Sequence, residues 1–317
     1  MAWGTGDHHV KQLEETEYTL KTVSLFGEVN YQLISNLRLR LGGRYDRLWG
    51  DMDFGPNHTT GPQGHFSSKK IGIFSPKVGL LFTPLDKLDI YANYGEGFNV
   101  PGLMDGQFFS EHQLKMTKRK QYELGFRSSP YTWMEFGSVI YLANTKNDIQ
   151  QNLTTKRMEN AGQTRRRGVE TYVKFFPVQH LTISADYAYQ DVKYKKNIQH
   201  PTWEGRRLPQ VARHIVNAEI AYIPPEGWGG RATLNYNFDY LLQENPERAL
   251  HPHYKGHDFG TVDAQVNYRF NDKYKISLDV LNVFNDRPKQ GVPNAQGYFN
   301  YWPSNPTTAY LTLEVSF

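Results

Sequence analysis

Residues 261–270 read Thr-Val-Asp-Ala-Gln-Val-Asn-Tyr-Arg-Phe, and this stretch decides the fold class. Every second residue from Val262 to Phe270 is apolar or aromatic, and every residue between them is polar. A period of two over ten residues predicts a β-strand with one apolar face. The same alternation recurs in residues 37–46, 181–190, 231–240 and 274–279. No segment shows the 3.6-residue period of a helix, so the sequence predicts an all-β protein.

Turn-forming residues group the strands into pairs. Tight connections are predicted at 34–36, 85–87, 130–132, 177–180, 224–228 and 271–273. Long polar or Gly/Pro-rich segments near 50–70, 100–118, 193–207, 242–257 and 285–305 separate the pairs. Thirteen strands result, at 20–33, 37–49, 71–84, 88–99, 119–128, 133–155, 160–176, 180–192, 208–223, 229–241, 258–270, 274–284 and 307–317. Short turns therefore alternate with long loops along the chain.

This asymmetry is typical of bacterial outer-membrane barrels, which have short periplasmic turns and long extracellular loops. A soluble β-sandwich also alternates, and a β-propeller repeats at a similar length but with four short strands in each repeat. Here each repeat holds two long strands, and the second face carries the charges that suit a water-filled lumen. We therefore expect an antiparallel up-and-down transmembrane β-barrel, with a soluble β protein as the alternative.

Composition excludes several other classes. No stretch of the 317 residues approaches the roughly 18 to 20 apolar residues of a membrane-spanning helix. The absence of cysteine excludes a disulfide scaffold, a thiolate metal site and a cysteine nucleophile. A net charge of +4 gives no support for a nucleic-acid partner. Because no motif brings a nucleophile, base and oxyanion donors together, the sequence predicts neither an enzyme nor a cofactor.

Nine short stretches follow one another in a particular order. They are Leu25-Phe-Gly-Glu-Val-Asn-Tyr31, Leu37-Arg-Leu-Arg-Leu-Gly-Gly-Arg-Tyr-Asp46, Ser75-Pro-Lys-Val-Gly79, Tyr91-Ala-Asn-Tyr-Gly-Glu-Gly-Phe98, Tyr122-Glu-Leu-Gly-Phe126, Asn160-Ala-Gly162, Arg167-Gly-Val-Glu170, Leu281-Asn-Val-Phe-Asn285 and Tyr310-Leu-Thr-Leu-Glu-Val-Ser-Phe317. This order resembles the C-terminal part of the barrel of TonB-dependent outer-membrane receptors. The resemblance implies uptake of a scarce nutrient with energy relayed by TonB. Ferric siderophores are the commonest substrates of the family, and haem and cobalamin are others.

The resemblance also bears on how the chain is organised. Members of the family carry a signal peptide, a TonB-contacting box and a globular plug before a barrel of 22 strands. Residues 1–19 contain no apolar leader segment. The first and last of thirteen meander strands run in the same direction, so these two strands cannot pair antiparallel to close a barrel. We expect residues 1–19 to be part of an extracellular loop and residues 20–317 to be the C-terminal strands of a longer receptor. The first nine strands and the plug would then be absent.

The last strand carries a second expectation. Leu311, Leu313, Val315 and Phe317 alternate toward the lipid, and Tyr310 begins the opposite, lumen-facing set. A terminal aromatic residue with this alternation resembles the signal that the barrel-assembly machinery reads.

Three loop histidines, His251, His253 and His257, are candidates for contact with haem or a metal chelate, because imidazole is a common ligand of iron, copper and zinc. Their spacing matches no defined metal site, and loop histidines are commonly solvated. Loop aromatics are candidates for stacking on a siderophore, although Trp and Tyr also anchor barrels at membrane interfaces. These aromatics are Trp203, Tyr298, Tyr301 and Trp302, with Phe108, Phe109 and Phe299 beside them.

The run Arg165-Arg166-Arg167 could attract anionic chelates or lipopolysaccharide phosphates, or simply mark a strand that emerges from the bilayer. The expected location is the bacterial outer membrane. The expected partners are outer-membrane lipid and lipopolysaccharide, the barrel-assembly machinery, a small iron chelate, and the TonB complex acting through the plug. A passive porin-like channel and a haem or cobalamin receptor remain alternative functions.

Overall fold

The computed structural model describes residues 16–54, 64–67, 70–100, 114–151, 158–209, 211–239, 241, 258–271, 273–287, 290–293, 299–302 and 305–316. Its strands are β1 Thr16–Ile34, β2 Leu37–Phe54, β3 Gly64–Ser67, β4 Ile71–Leu85, β5 Leu88–Asn99, β6 Thr117–Tyr131, β7 Met134–Gln151, β8 Met158–Phe175, β9 Leu181–Asn197, β10 His214–Tyr222, β11 Gly227–Phe238, β12 Phe259–Arg269, β13 Tyr274–Leu281, β14 Gln290–Pro293, β15 Phe299–Trp302 and β16 Thr308–Val315. The one helical element in these ranges is a single 3-10 turn, Pro201–Trp203. Within them, no helix has the length and apolar character needed to span a membrane. The all-β prediction is confirmed.

Thirteen strands form one antiparallel meander in the order β1-β2-β4-β5-β6-β7-β8-β9-β10-β11-β12-β13-β16. The short strand β3 pairs with the loop end of β2, and β14 and β15 form a separate hairpin. The predicted count of thirteen meander strands is thus confirmed. In the described part of the chain, β1 and β16 are each paired on one side only. They are the first and thirteenth strands of the path, so they run in the same direction.

The strand ends differ from the prediction in two ways. Several strands extend further toward the loops, because main-chain pairing in a hairpin continues where the apolar alternation has stopped; β1 and β2 remain in register up to Thr16 and Phe54. Other strands are shorter than predicted: β10 begins at His214, six residues after its predicted start, and β7 ends at Gln151, four residues before its predicted end. Likewise, β13 ends at Leu281, three residues before its predicted end. Asn282 adopts a φ of 50° there, and its side-chain amide donates to the carbonyl oxygens of Asp286 and Asn305, both at 2.9 Å.

The two faces of the sheet differ in polarity. Large apolar side chains cover one face and remain exposed, for example Leu25 at 77% and Leu311 at 74%. Cross-strand pairing places these residues together, as with Leu41 opposite Val29 and Val78. A contiguous apolar face of this extent is stable when it contacts lipid or another chain. The opposite face carries charged and amide side chains, so the alternation seen in the sequence separates an apolar outer side from a polar inner side.

Tyrosine rings lie against glycines on the inner face. In three directly paired positions, a Cβ added to the glycine would come within 2.8 Å of the ring of the tyrosine on the neighbouring strand. The pairs are Tyr91–Gly125, Tyr141–Gly168 and Tyr172–Gly137. Glycine leaves room for a ring to lie flat on the adjacent strand, which explains its place inside strands that otherwise favour side chains.

Candidate functional site

A groove of about 470 Å³ lies on the inner face between β2 and β6. Its lining includes three cationic side chains, Arg40, Lys77 and Arg119. Arg40 is balanced, because its Nε lies 3.3 Å from Oε1 of Glu28. Three carboxylates, Glu28, Glu96 and Glu123, line the same groove. In the ranges that the structure describes, Lys77 and Arg119 make no ion pair within the groove. The lining as a whole is balanced in charge, and Lys77 and Arg119 are the positions in it where an anionic group could bind.

The carboxylate on the far side of this groove, Glu123, is held by neutral groups. The side-chain amide of Asn93 donates to Glu123 Oε2 at 3.2 Å, and that of Gln121 donates to Oε1 at 2.6 Å. Because both donors are neutral amides, Glu123 is hydrogen-bonded without an arginine or lysine as its partner. The groove therefore presents two cations and an amide-held carboxylate, which suits recognition of a polar molecule that carries both acceptor and donor groups.

Toward the loops, an ion-pair cluster joins the segment before β10 to the end of β11. Asp239 adopts a φ of 56° and receives Nη1 of Arg207 at 2.9 Å and Nη1 of Arg213 at 3.0 Å. Arg207 Nη2 also donates to the main-chain oxygen of Asp239 at 2.6 Å. Burial raises the pKa of Asp239, but the hydrogen bond and charge of Arg207, together with the charges of Arg213 and His214, outweigh it and lower the pKa below its usual value.

The loop after β9 has its own aromatic core. Trp203 is 8% exposed, and its ring centroid lies 5.6 Å from that of Tyr194 and 4.2 Å from that of His200, which stacks on it. The loop is also tied to β9 by main-chain hydrogen bonds, since the amide of Tyr194 donates to Arg206 and that of Leu208 donates to Val192. These contacts hold the loop in one conformation against β9.

Comparison with known proteins shows the family to which this sheet belongs. A sequence profile described as TonB dependent receptor-like, beta-barrel matches residues 6–283. The chain belongs to this family. It is 24% identical over 247 residues to the ferrioxamine B receptor of Salmonella typhimurium, covering 78% of this chain and 33% of that receptor. It is 24% identical over 294 residues to the metal-pseudopaline receptor CntO of Pseudomonas aeruginosa, covering 87% of this chain and 38% of that receptor.

Solved barrels of the family share this fold. The siderophore receptor PiuA from Acinetobacter baumannii superposes with a TM-score of 0.77 at 16% identity, over 95% of this chain and 44% of PiuA. The ferric citrate transporter FecA superposes with a TM-score of 0.74 at 19% identity, over 96% of this chain and 46% of FecA. The chain spans about a third of the length of the curated receptors it matches. The expected fold, a TonB-dependent receptor barrel of the outer membrane, is confirmed.

The structure of this receptor barrel places the predicted ligand residues differently. Trp203 packs inside its loop, so its role in stacking on a ligand stays a prediction. Phe299, Tyr301 and Trp302 lie on β15, opposite Pro293, Gly291 and Gln290 of β14. The remaining candidates, Tyr298, Phe108, Phe109, His251, His253 and His257, lie outside the described residues. Among the residues that are described, no group of three or more His, Asp or Glu side chains is arranged to hold a metal ion.

The arginine run is split between the two faces of the barrel wall. Arg165 and Arg167 share the outer face, where Arg167 lies opposite Leu142, and Arg166 points to the inner face between Ala143 and Val192. The three residues therefore cannot form one anion site. The pairing of β8 with β7 and β9 determines which face each arginine occupies, and the run of three arginines in the sequence does not show it.

The C-terminal strand follows its predicted alternation. Leu311 and Leu313 are 74% and 67% exposed on the outer face, opposite Leu278 and Ile276 of β13. On the inner face, Glu314 accepts a hydrogen bond from Lys275 Nζ at 2.6 Å. Tyr310 lies opposite Asp279 and Val315 opposite Tyr274. Phe317 lies outside the described residues, and recognition of this strand by the assembly machinery stays a prediction.

The Asp239 cluster was not predicted. Arg207 and Arg213 precede Asp239 by 32 and 26 residues in the chain, and no motif connects the three. The available signal was the end of the alternating segment at 231–240, which predicts where β11 ends but not which side chains contact Asp239.

Proposed function

We propose that this chain forms the C-terminal part of an outer-membrane receptor that imports a ferric siderophore with energy from the TonB complex. The observation that carries the proposal is the family profile over residues 6–283. The names of the matched ferrioxamine B receptor and of the structural neighbour PiuA support the substrate class. Lys77 and Arg119 on the inner face, which make no ion pair in the groove, could each bind a negatively charged group of a ferric chelate.

The edges of the sheet support a larger barrel around this chain. Because β1 and β16 run in the same direction, an antiparallel barrel requires an odd number of additional strands between them. Nine such strands give the even total of 22 that the family resemblance implies, and they would remove the two open edges that lipid does not tolerate. The plug and the remaining strands would complete the ligand site that the inner groove begins.

A second candidate is uptake of another metal chelated by a small organic molecule. Two of the matched proteins favour it, the metal-pseudopaline receptor and the copper transporter OprC. OprC superposes with a TM-score of 0.74 at 16% identity, over 95% of this chain and 48% of OprC. The same inner cations would serve either anionic chelate. The choice between iron and other metals depends on the cargo and is open to direct measurement.

Uptake by the native host tests both candidates. The gene is deleted, and accumulation of radioactive iron supplied as one ferric siderophore at a time is compared with accumulation of zinc, nickel or copper supplied with a metallophore. We expect one iron chelate to lose saturable uptake in the deletion strain and to regain it on complementation. A selective loss of another metal would instead establish the second candidate. Unchanged uptake of every chelate would refute both.

Energy dependence separates the receptor from a passive channel. Dissipating the proton-motive force with a protonophore should abolish uptake of the chelate, whereas passage through an open pore would continue.

Charge reversal by Arg119→Glu should raise the chelate concentration at half-maximal uptake about tenfold. The matched control Arg231→Glu changes an inner-face arginine that lines another part of the wall, where it lies 4.0 Å from Glu219, and should leave that concentration unchanged.

A further inference from the structure

The barrel wall divides between β4 and β5 as these two strands approach the loops. Within residues 70–100, main-chain pairing of β4 with β5 ends on the loop side at Lys77 opposite Gly95. Beyond this pair, β4 continues beside β2 as far as Ile71, and β5 continues beside β6 as far as Asn99. The loop ends of β1, β2 and β4 therefore form one layer, and those of β5 and β6 form another.

An apolar cluster shows that these two layers overlap. Leu48 of β2, Ile73 of β4 and Met116, which precedes β6, form this cluster and are 3%, 5% and 4% exposed, and Phe98 of β5 packs against them. Alternation places Leu48 and Ile73 on the inner face of their strands and Phe98 on the outer face of β5. The inner face of β2 is covered at this level, since Asp46, which is paired with Ile73, is 0% exposed. The layer of β5 and β6 thus lies inside the layer of β1, β2 and β4, and we call them the inner layer and the outer layer.

Two asparagines hold the segment that carries Met116. Asn160 of β8 bonds to the main chain of Lys115 as a neighbouring strand would: the Lys115 amide donates to Asn160 Oδ1 at 2.6 Å, and Asn160 Nδ2 donates to the Lys115 oxygen at 2.9 Å. Asn147 of β7 adopts a φ of 56°, and its Nδ2 donates to the main-chain oxygen of Met116 at 3.1 Å. Asn160 Nδ2 also donates to the main-chain oxygen of Asn147 at 2.9 Å, which joins the two asparagines. Side-chain amides thus take the place of main-chain partners for residues 115 and 116.

The inner layer forms one side of the inner groove. Arg119, three residues after Met116, lines the groove together with Gly97 of the same layer. Arg40 of β2 and Lys77 of β4 line it from the other side. Lys77 and Arg119, the two cations that make no ion pair in the groove, therefore lie on opposite sides of the division in the wall. The position of the inner layer sets their separation.

We propose that Asn160 is a positioning residue for ligand binding in this groove: by fixing the segment of Met116 between the two layers, it sets the distance between Lys77 and Arg119. This inference rests on the proposed uptake of a chelate with negatively charged groups. A charge-assisted hydrogen bond needs its donor about 2.7 to 2.9 Å from the acceptor, so a shift of the inner layer by about 1 Å weakens binding at Arg119. Asn160 does not line the groove, and it acts on the ligand through the segment that it holds.

Uptake kinetics of the full receptor in its native host test the positioning role. Asn160→Ala removes the hydrogen bonds to Lys115 and Asn147 but keeps every residue that lines the groove, so the chelate concentration at half-maximal uptake should rise about fivefold. The maximal rate should not change, because it depends on the energised step and not on the groove. Met116→Ser should act in the same direction, whereas Met116→Leu keeps the apolar contact and should behave like the unmodified receptor. The matched control is Asn235→Ala, which removes an exposed inner-face asparagine of β11.

A distance measurement without any chelate tests the same role independently. Nitroxide labels are attached to Lys115→Cys of the inner layer and Lys70→Cys beside β4, two exposed positions in a stretch of 317 residues that contains no cysteine. Any cysteine in the rest of the receptor is replaced by serine, and heat-modifiable migration on a gel confirms folding. Pulsed electron paramagnetic resonance in detergent should give one narrow distance, which becomes broader and longer with Asn160→Ala and stays narrow with Asn235→Ala. An unchanged distance in Asn160→Ala, or a lower maximal rate at an unchanged half-maximal concentration, would overturn the proposal. If no chelate were taken up, the transport function would be refuted, and the distances would still decide whether Asn160 holds the inner layer.

Discussion

Replacing Gly168 with alanine tests how closely the strands of the barrel wall approach one another. A Cβ added at this position would lie 2.2 Å from the main-chain oxygen of Tyr189 and 2.7 Å from the hydroxyl of Tyr141. Carbon and oxygen in close strand contacts lie about 3.3 Å apart, so β8 and β9 would have to separate by about 1.1 Å. A main-chain hydrogen bond of about 2.9 Å would then be stretched to about 4 Å and broken.

The expected cost combines two effects. Overpacking in a well-packed structure costs about 1 to 3 kcal/mol, and a lost hydrogen bond adds about 0.5 to 1.5 kcal/mol. Gly168→Ala should therefore lower the free energy of unfolding by about 2 to 4 kcal/mol. The measurement is urea unfolding of the receptor in detergent micelles, followed by tryptophan fluorescence and by heat-modifiable migration.

Two further variants identify the cause. In Gly97→Ala the new Cβ meets no atom within 4 Å, so its stability should change by less than about 1 kcal/mol. Adding Tyr141→Phe to Gly168→Ala removes the hydroxyl contact but leaves the main-chain oxygen, so it should recover only part of the loss. If Gly168→Ala and Gly97→Ala were equally stable, the close approach of β8 and β9 would be refuted.

Three other changes have defined outcomes. Because the pKa of Asp239 is lower in the folded protein, its ion pairs stabilise the loop before β10 above about pH 4. This stabilisation is lost as the pH falls through the lowered pKa. Asp239→Asn should abolish the pH dependence of hydrogen exchange in this loop, and an unchanged profile would contradict the assignment. Trp203→Ala should lower the local stability of the loop by about 3 to 5 kcal/mol. Hydrogen exchange of the Tyr194 amide should become faster, and an unaltered exchange rate would show that the ring does not stabilise the loop. Leu313→Arg should reduce the amount of folded barrel, because an arginine on the lipid-facing side costs up to about 4 kcal/mol, depending on its depth. Thr312→Arg on the inner face should be tolerated, and equal effects would contradict the assignment of the two faces.

The sequence predicted the thirteen meander strands because their signal is local. In residues 261–270, for example, each apolar side chain is followed by a polar one, and β12 occupies this segment. The short strands β3, β14 and β15 were missed, since four residues in Gly- and Pro-rich segments give no measurable alternation.

The candidate site was less predictable, because its parts come from different strands. The partners of Arg165 and Arg166 depend on the register of β7, β8 and β9, which no single segment encodes. Trp203 illustrates a second limit: the sequence places it in a loop, but its burial arises from contacts with Tyr194 and His200 that only the folded loop creates. The loop histidines and Phe317 stay predictions.

The tyrosines that lie flat on glycines also affect what a moving molecule meets inside the barrel. Tyr91, Tyr141 and Tyr172 each spread along the wall over a neighbouring strand, so their rings do not project into the passage. In the proposed uptake, a cargo that crosses this stretch would meet the faces of these three rings. Glycine at these positions thus widens the passage and smooths its wall, and a bulkier residue would narrow the route even where the barrel still folded.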